Sequence, residues 1–113
     1  MALIDLKKQA TLTASATIHL ANASDPFVSR FRVQYVLTGG TMTVKPQAAL
    51  AGSGAAMGDI WYTNALTNAP VAAGTTQTAS GLIDVDAAGL DVDIVITIAG
   101  GGSLAVYATA LVG

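Results

Sequence analysis

The sequence predicts an all-β chain, an antiparallel β-sandwich of about seven to eight strands, jelly-roll or immunoglobulin-like. Two observations carry this. Apolar residues take every second position over Leu90, Val92, Ile94, Ile96 and Ile98, and again over Leu104, Val106, Ala108 and Ala110. Period two is the signature of strands with one buried face. Turn-forming residues also recur roughly every ten positions, and no helical repeat of core length separates them. Gly100-Gly101-Gly102 then reads as the tip of a C-terminal hairpin, and Gly39-Gly40 as a second tip.

The elements follow in order. Residues 1–9 read as an N-terminal arm, either one helical turn or an extended strand docking on a neighbour, and 10–113 as the sandwich domain. Residues 10–20 alternate Thr11, Thr13, Ser15, Thr17 and His19 with Leu12, Ala14, Ala16, Ile18 and Leu20, which predicts one long strand with a hydroxyl-rich outer face. Asn22 to Pro26 is a turn. Over 28–38, Phe31, Val33, Tyr35 and Leu37 face inward against Arg30, Arg32, Gln34 and Val36. Thr41 to Gln47 returns as a strand, and Pro46 marks an edge or a bulge. Residues 48–58 are a loop or a short helical turn. Asp59 to Asn64 is a short strand carrying Trp61 and Tyr62. Residues 68–76 form a loop, and 77–86 a strand with Ile83 and Val85 inward and Asp84 and Asp86 outward.

Composition narrows the function. A chain of 113 residues without cysteine has neither disulfides nor thiolate chemistry. Only 11% of residues are charged, against about 25% in an ordinary domain, and all seven acids are Asp. Such a surface repels copies and partners weakly. Five basic residues do not make a phosphate footprint, so nucleic acid is not an expected partner. No apolar run is long enough for a membrane span, and the start Met1 to Lys8 does not read as a signal peptide. The chain is expected to stay in the cytoplasm until assembly, and no cofactor is expected.

Few residues offer chemistry. His19 is the lone histidine and has no sequence-evident catalytic partners, so no enzyme is expected. Asp84, Asp86, Asp91 and Asp93 form two Asp-Val-Asp units; converging at one strand end, they would offer oxygens to Ca²⁺. The alternative is that they are solvent-facing positions that discourage edge pairing. Arg30 and Arg32 share a face and are expected to meet Asp91 and Asp93, within the domain or across an interface. Lys7 and Lys8 would meet an acidic partner or stay solvated. Trp61 and Tyr62 are adjacent, so only one of them is expected to be buried. An exposed Trp61 would be an interface anchor or a platform for sugar. Thr11/Thr13 and Thr41/Thr43 are too few to make a regular array. Val95 and Tyr107 fall on the half-polar second face of the Gly100–Gly102 hairpin and predict a subunit contact.

The stretch Phe31–Val44 with Gly39-Gly40, the strand Asp59-Ile60-Trp61-Tyr62, and Ser80–Val85 running into Asp91–Leu111 resemble small phage virion proteins of the capsid decoration (cement) and head or tail accessory type. The resemblance implies a non-enzymatic protein of the virion. It would be a homotrimer bound to the major capsid protein, stabilising the assembled particle. A tail or fibre component and a carbohydrate-binding module are the alternatives; the latter requires Trp61 or Tyr35 exposed in a groove. The apolar arm residues Leu3, Ile4 and Leu6 would pair with a partner's sheet edge.

Overall fold

Alternation of buried and exposed side chains runs through the long strands of the computed structural model, which describes residues 2–20 and 28–112, with side chains for 11–20 and 28–111. Among the described residues ten strands follow one another: β1 (Ala2–Leu12), β2 (Ala16–Leu20), β3 (Val28–Thr38), β4 (Thr41–Leu50), β5 (Gly58–Asp59), β6 (Tyr62–Asn64), β7 (Ala69–Val71), β8 (Gly81–Asp86), β9 (Leu90–Ala99) and β10 (Ser103–Val112). They form a six-stranded sheet of order β1-β10-β3-β8-β6-β7 and a four-stranded sheet of order β2-β9-β4-β5. Every pairing is antiparallel.

The pairs nest. β1 lies with β10, β2 with β9, β3 with β8 and β4 with β5, alternating between the two sheets. A long antiparallel ribbon with its tip in the 51–57 loop has been rolled over itself, and that order is the jelly roll. The β6–β7 hairpin extends the larger sheet beyond β8. The core fills the space between the sheets: Phe31, Val33, Tyr35, Ile83, Val85, Leu104 and Val106 from one, Leu20, Met42, Val44, Val92, Ile94 and Ile96 from the other. Each such side chain contributes about 1.5–3 kcal/mol on burial.

The two glycine clusters are not hairpin tips, and the sequence expectation is corrected here. β3 and β10 lie in the larger sheet, while β4 and β9 lie in the smaller one. Thr38 pairs with Ser103 on one side of the glycines and Thr41 with Ala99 on the other. Gly39-Gly40 and Gly100–Gly102 are therefore the two strands of a single ribbon, bending together where it passes from sheet to sheet. Both strands need glycine at the same place, because their backbones come into contact there.

Four further expectations change. Residues 2–9, expected as an arm, are the start of β1 and pair with the chain's own β10, with a register shift between Ile4 and Lys8. The run 10–20 is not one strand: residues 13–15 carry the chain between sheets, and the Ser15 hydroxyl accepts from Ile98 N at 3.0 Å. Asp59 to Asn64 divides in the same way, with β5 in the smaller sheet and β6 in the larger. Alternation survives each crossing, so the pattern alone does not reveal it. The strand expected over 77–86 begins only at Gly81; Gln77 instead forms a two-bond bridge to Val44. The turn expected over Asn22–Pro26 lies outside the described residues.

Candidate functional site

The sandwich presents two outer faces of different chemistry. On the six-stranded sheet, β10 contributes Ala105, Tyr107 and Thr109, β3 contributes Arg30, Arg32, Gln34 and Val36, and β8 contributes Leu82, Asp84 and Asp86. Gln34 stands opposite both Tyr107 and Leu82. Two adjoining depressions of about 220 and 140 Å³ share Gln34 and Leu82. Val36, Tyr107 and, from the β6–β7 turn, Leu66 are exposed around them.

One end of this face is closed by charge. Asp84 is 9% exposed. Arg32 donates to it from Nε at 2.7 Å and from Nη2 at 3.0 Å, a two-pronged pairing that pushes the Arg32 pKa up, through the hydrogen bond first and then through the charge. Arg30 lies 3.6 Å from Asp84 and 3.9 Å from Asp86. The arginines thus find their carboxylates on β8 in the same sheet, not at Asp91 and Asp93 as expected from the sequence.

The four aspartates weighed as a calcium site do not converge. Asp84 and Asp86 lie on the outer side of one sheet, and Asp91 and Asp93 on the outer side of the other. The buried Val85 and Val92 point into the core between them. Among the described residues, no group of three or more His, Cys, Asp or Glu side chains stands ready to hold a metal ion. Val95 and Tyr107 are separated in the same way, one on each face, so they do not form one contact surface.

On the four-stranded sheet the register aligns His19 with Asp93, Asp93 with Gln47, and Gln47 with Asp59. This polar row crosses all four strands. His19 Nδ1 bonds Asp93. Gln47 Nε2 donates to Asp59 Oδ1 at 3.0 Å, and Lys45 Nζ reaches the same oxygen at 3.1 Å. The Gln47 and then the Lys45 hydrogen bond hold the Asp59 carboxyl below its ordinary range. Val95 lies in the next register row, between Thr17 and Lys45. A groove of about 320 Å³ lined by Thr41, Thr43, Thr78 and Thr97 continues the face toward the glycine bend.

Trp61 stands where the chain leaves β5 for β6. It is 65% exposed, while its neighbour Tyr62 is 4% exposed, so one of the two aromatics is buried as alternation requires. Tyr62 donates to Thr75 O at 2.5 Å and accepts from Gln77 Nε2 at 3.1 Å, tying both residues to β6. Tyr35 is 1% exposed and offers no platform. Leu3, Ile4 and Leu6, like Lys7 and Lys8, have side chains outside the described residues. Sequence reasoning missed the row through Lys45, Gln47 and Asp59. Alternation could place these residues on an outer face, but only the pairing of β4 with β5 brings Asp59 to Gln47, and the pairing of β9 with β2 and β4 extends the row to Asp93 and His19.

No known protein family matches the chain, and no curated protein matches it either. Among solved structures, the SPBc2 prophage-derived protein YomS is similar, with a TM-score of 0.67 at 13% identity, covering 97% of this chain and 98% of that one. The two share their fold along essentially their whole length.

Proposed function

We propose that this chain is a non-enzymatic structural protein of a phage particle, a decoration protein that binds the assembled capsid through the outer face of its six-stranded sheet. The observation that carries the reading is the end-to-end fold similarity to a prophage-derived protein. The jelly roll is also a recurrent architecture of viral capsid proteins. The proposed contact surface is centred on Tyr107, Val36, Leu66 and Leu82, with Arg32 engaged by Asp84 at its margin. Aromatic and aliphatic side chains bordered by satisfied charges make a workable interface centre. The reading carries a homotrimer and the major capsid protein as partners, and the virion as the location. Stabilisation follows from preferring the assembled lattice to loose subunits.

The test is co-sedimentation of the purified protein with mature heads of the phage that encodes it. Saturable binding at micromolar concentration, weakened at least about tenfold by Tyr107→Ala, supports the reading. Absence of binding to heads overturns it, and binding to isolated tails would move the protein to that part of the particle.

A further inference from the structure

We propose that the outer face of the four-stranded sheet binds a neutral oligosaccharide along the row His19, Asp93, Gln47 and Asp59, with Trp61 as the stacking platform at its end. This goes beyond the capsid-binding reading and uses the opposite face of the sandwich.

The row is continuous across β2, β9, β4 and β5. With neighbouring strands about 4.8 Å apart, it runs roughly 14 Å, the footprint of an oligomer and not of a single sugar. Its members are planar groups of both hydrogen-bonding kinds: two carboxylates that accept, an amide that donates and accepts, and an imidazole. Sugar hydroxyls also donate and accept, so each can meet such a row at successive positions. The row is already ordered by its own contacts: His19 with Asp93, Gln47 with Asp59, and Lys45 with Asp59. A ligand therefore meets side chains held in place, which lowers the entropy cost of binding.

Trp61 stands two positions beyond Asp59, past Ile60, which packs against the core. Its 65% exposure leaves the indole open to the apolar face of a pyranose. Charge selects the ligand class. Asp59, Asp91 and Asp93 lie on this face with Lys45 as the counter-charge, so sulfated, phosphorylated and sialylated chains are repelled.

Trp61 is the chain's single tryptophan, so its fluorescence reports on this site alone. The intact protein is titrated with hexasaccharides of glucose (β1,4 and α1,4), of mannose and of N-acetylglucosamine, with dextran sulfate as the anionic control. The expected result is a saturable shift with at least one neutral hexasaccharide and none with dextran sulfate. Gln47→Ala and the shape-preserving Asp93→Asn each weaken it at least about tenfold, with an unchanged circular dichroism spectrum. No shift up to about 10 mM of any neutral probe overturns the proposal. So does undiminished binding by folded Gln47→Ala, or a preference for dextran sulfate. A shift caused only by phage heads would assign Trp61 to a protein interface and also overturn it, and would move the capsid contact to this face; head binding without a Trp61 shift would leave the capsid reading intact.

Discussion

Gly40 and Gly102 touch backbone to backbone: a Cβ built on Gly40 would stand 2.5 Å from the Gly102 nitrogen, and one on Gly102 would stand 3.2 Å from the Gly40 Cα. No side chain fits at either position. Gly40 also has φ +64°, where an L residue is strained. Gly40→Ala combines both penalties and is expected to cost about 2–5 kcal/mol. Gly39 has φ +67° but open space around its missing Cβ, so Gly39→Ala is expected to cost only about 1–2 kcal/mol. Urea denaturation of the two variants separates clash from strain; equal losses would refute the contact.

Arg32 and Arg30 should differ in weight although they share a strand face. Arg32 makes two close bonds to the nearly buried Asp84, while among the described residues Arg30 approaches no carboxylate closer than 3.6 Å. Arg32→Ala is expected to cost about 1–3 kcal/mol, and Arg30→Ala less than about 1 kcal/mol. The same denaturation midpoints decide it, and a larger loss for Arg30→Ala would reverse the assignment.

Asp59 sets an acid-side signature. Its folded pKa is lowered from 3.8, first by Gln47 and then by Lys45. A depressed carboxyl contributes stability above its unfolded value and loses it as pH falls through the folded value. NMR titration of the Asp59 carboxyl carbon is expected to give a midpoint below 3.8, moving upward in Gln47→Ala. An unmoved midpoint would mean that Gln47 is not the main cause.

Tyr35 sets the alkaline limit. Burial first, and then Tyr62, push its pKa from 10.0 to about 12. The neutral phenol is the favoured form in the fold. Its contribution is therefore full below pH 10.0 and is lost as pH rises through about 12. An absorbance titration of the wild type minus Tyr35→Phe is expected to show ionisation near 12, together with loss of β signal. A difference titration centred near 10.0 would indicate an exposed ring.

Much of the fold is legible in the sequence, because alternation is local. The inward residues of β3, Phe31, Val33 and Tyr35, and those of β9, Val92, Ile94 and Ile96, are buried as their parity requires. What alternation lacks is a record of pairing. A two-glycine turn between alternating strands looks the same whether the strands pair with each other or part into separate sheets. That ambiguity hid the ribbon bend, split the aspartates between two faces, and gave the arginines a partner on β8 instead of β9. Asp59 and Gln47 come together only when the 51–57 loop turns back, so their row with Asp93 and His19 has no sequence spacing to betray it.

The pairing of β1 with β10 has a kinetic consequence. Ala2 lies opposite Val112, near the other end of the chain, and the nested pairs leave the long strands few close neighbours along the chain. Loop closure must be met before most native contacts form, so folding should be slow, on the order of milliseconds to seconds. During synthesis β1 leaves the ribosome long before its partner exists. It must wait unpaired, and its Asp5, Lys7 and Lys8 are the residue types that keep a waiting strand from joining the wrong edge.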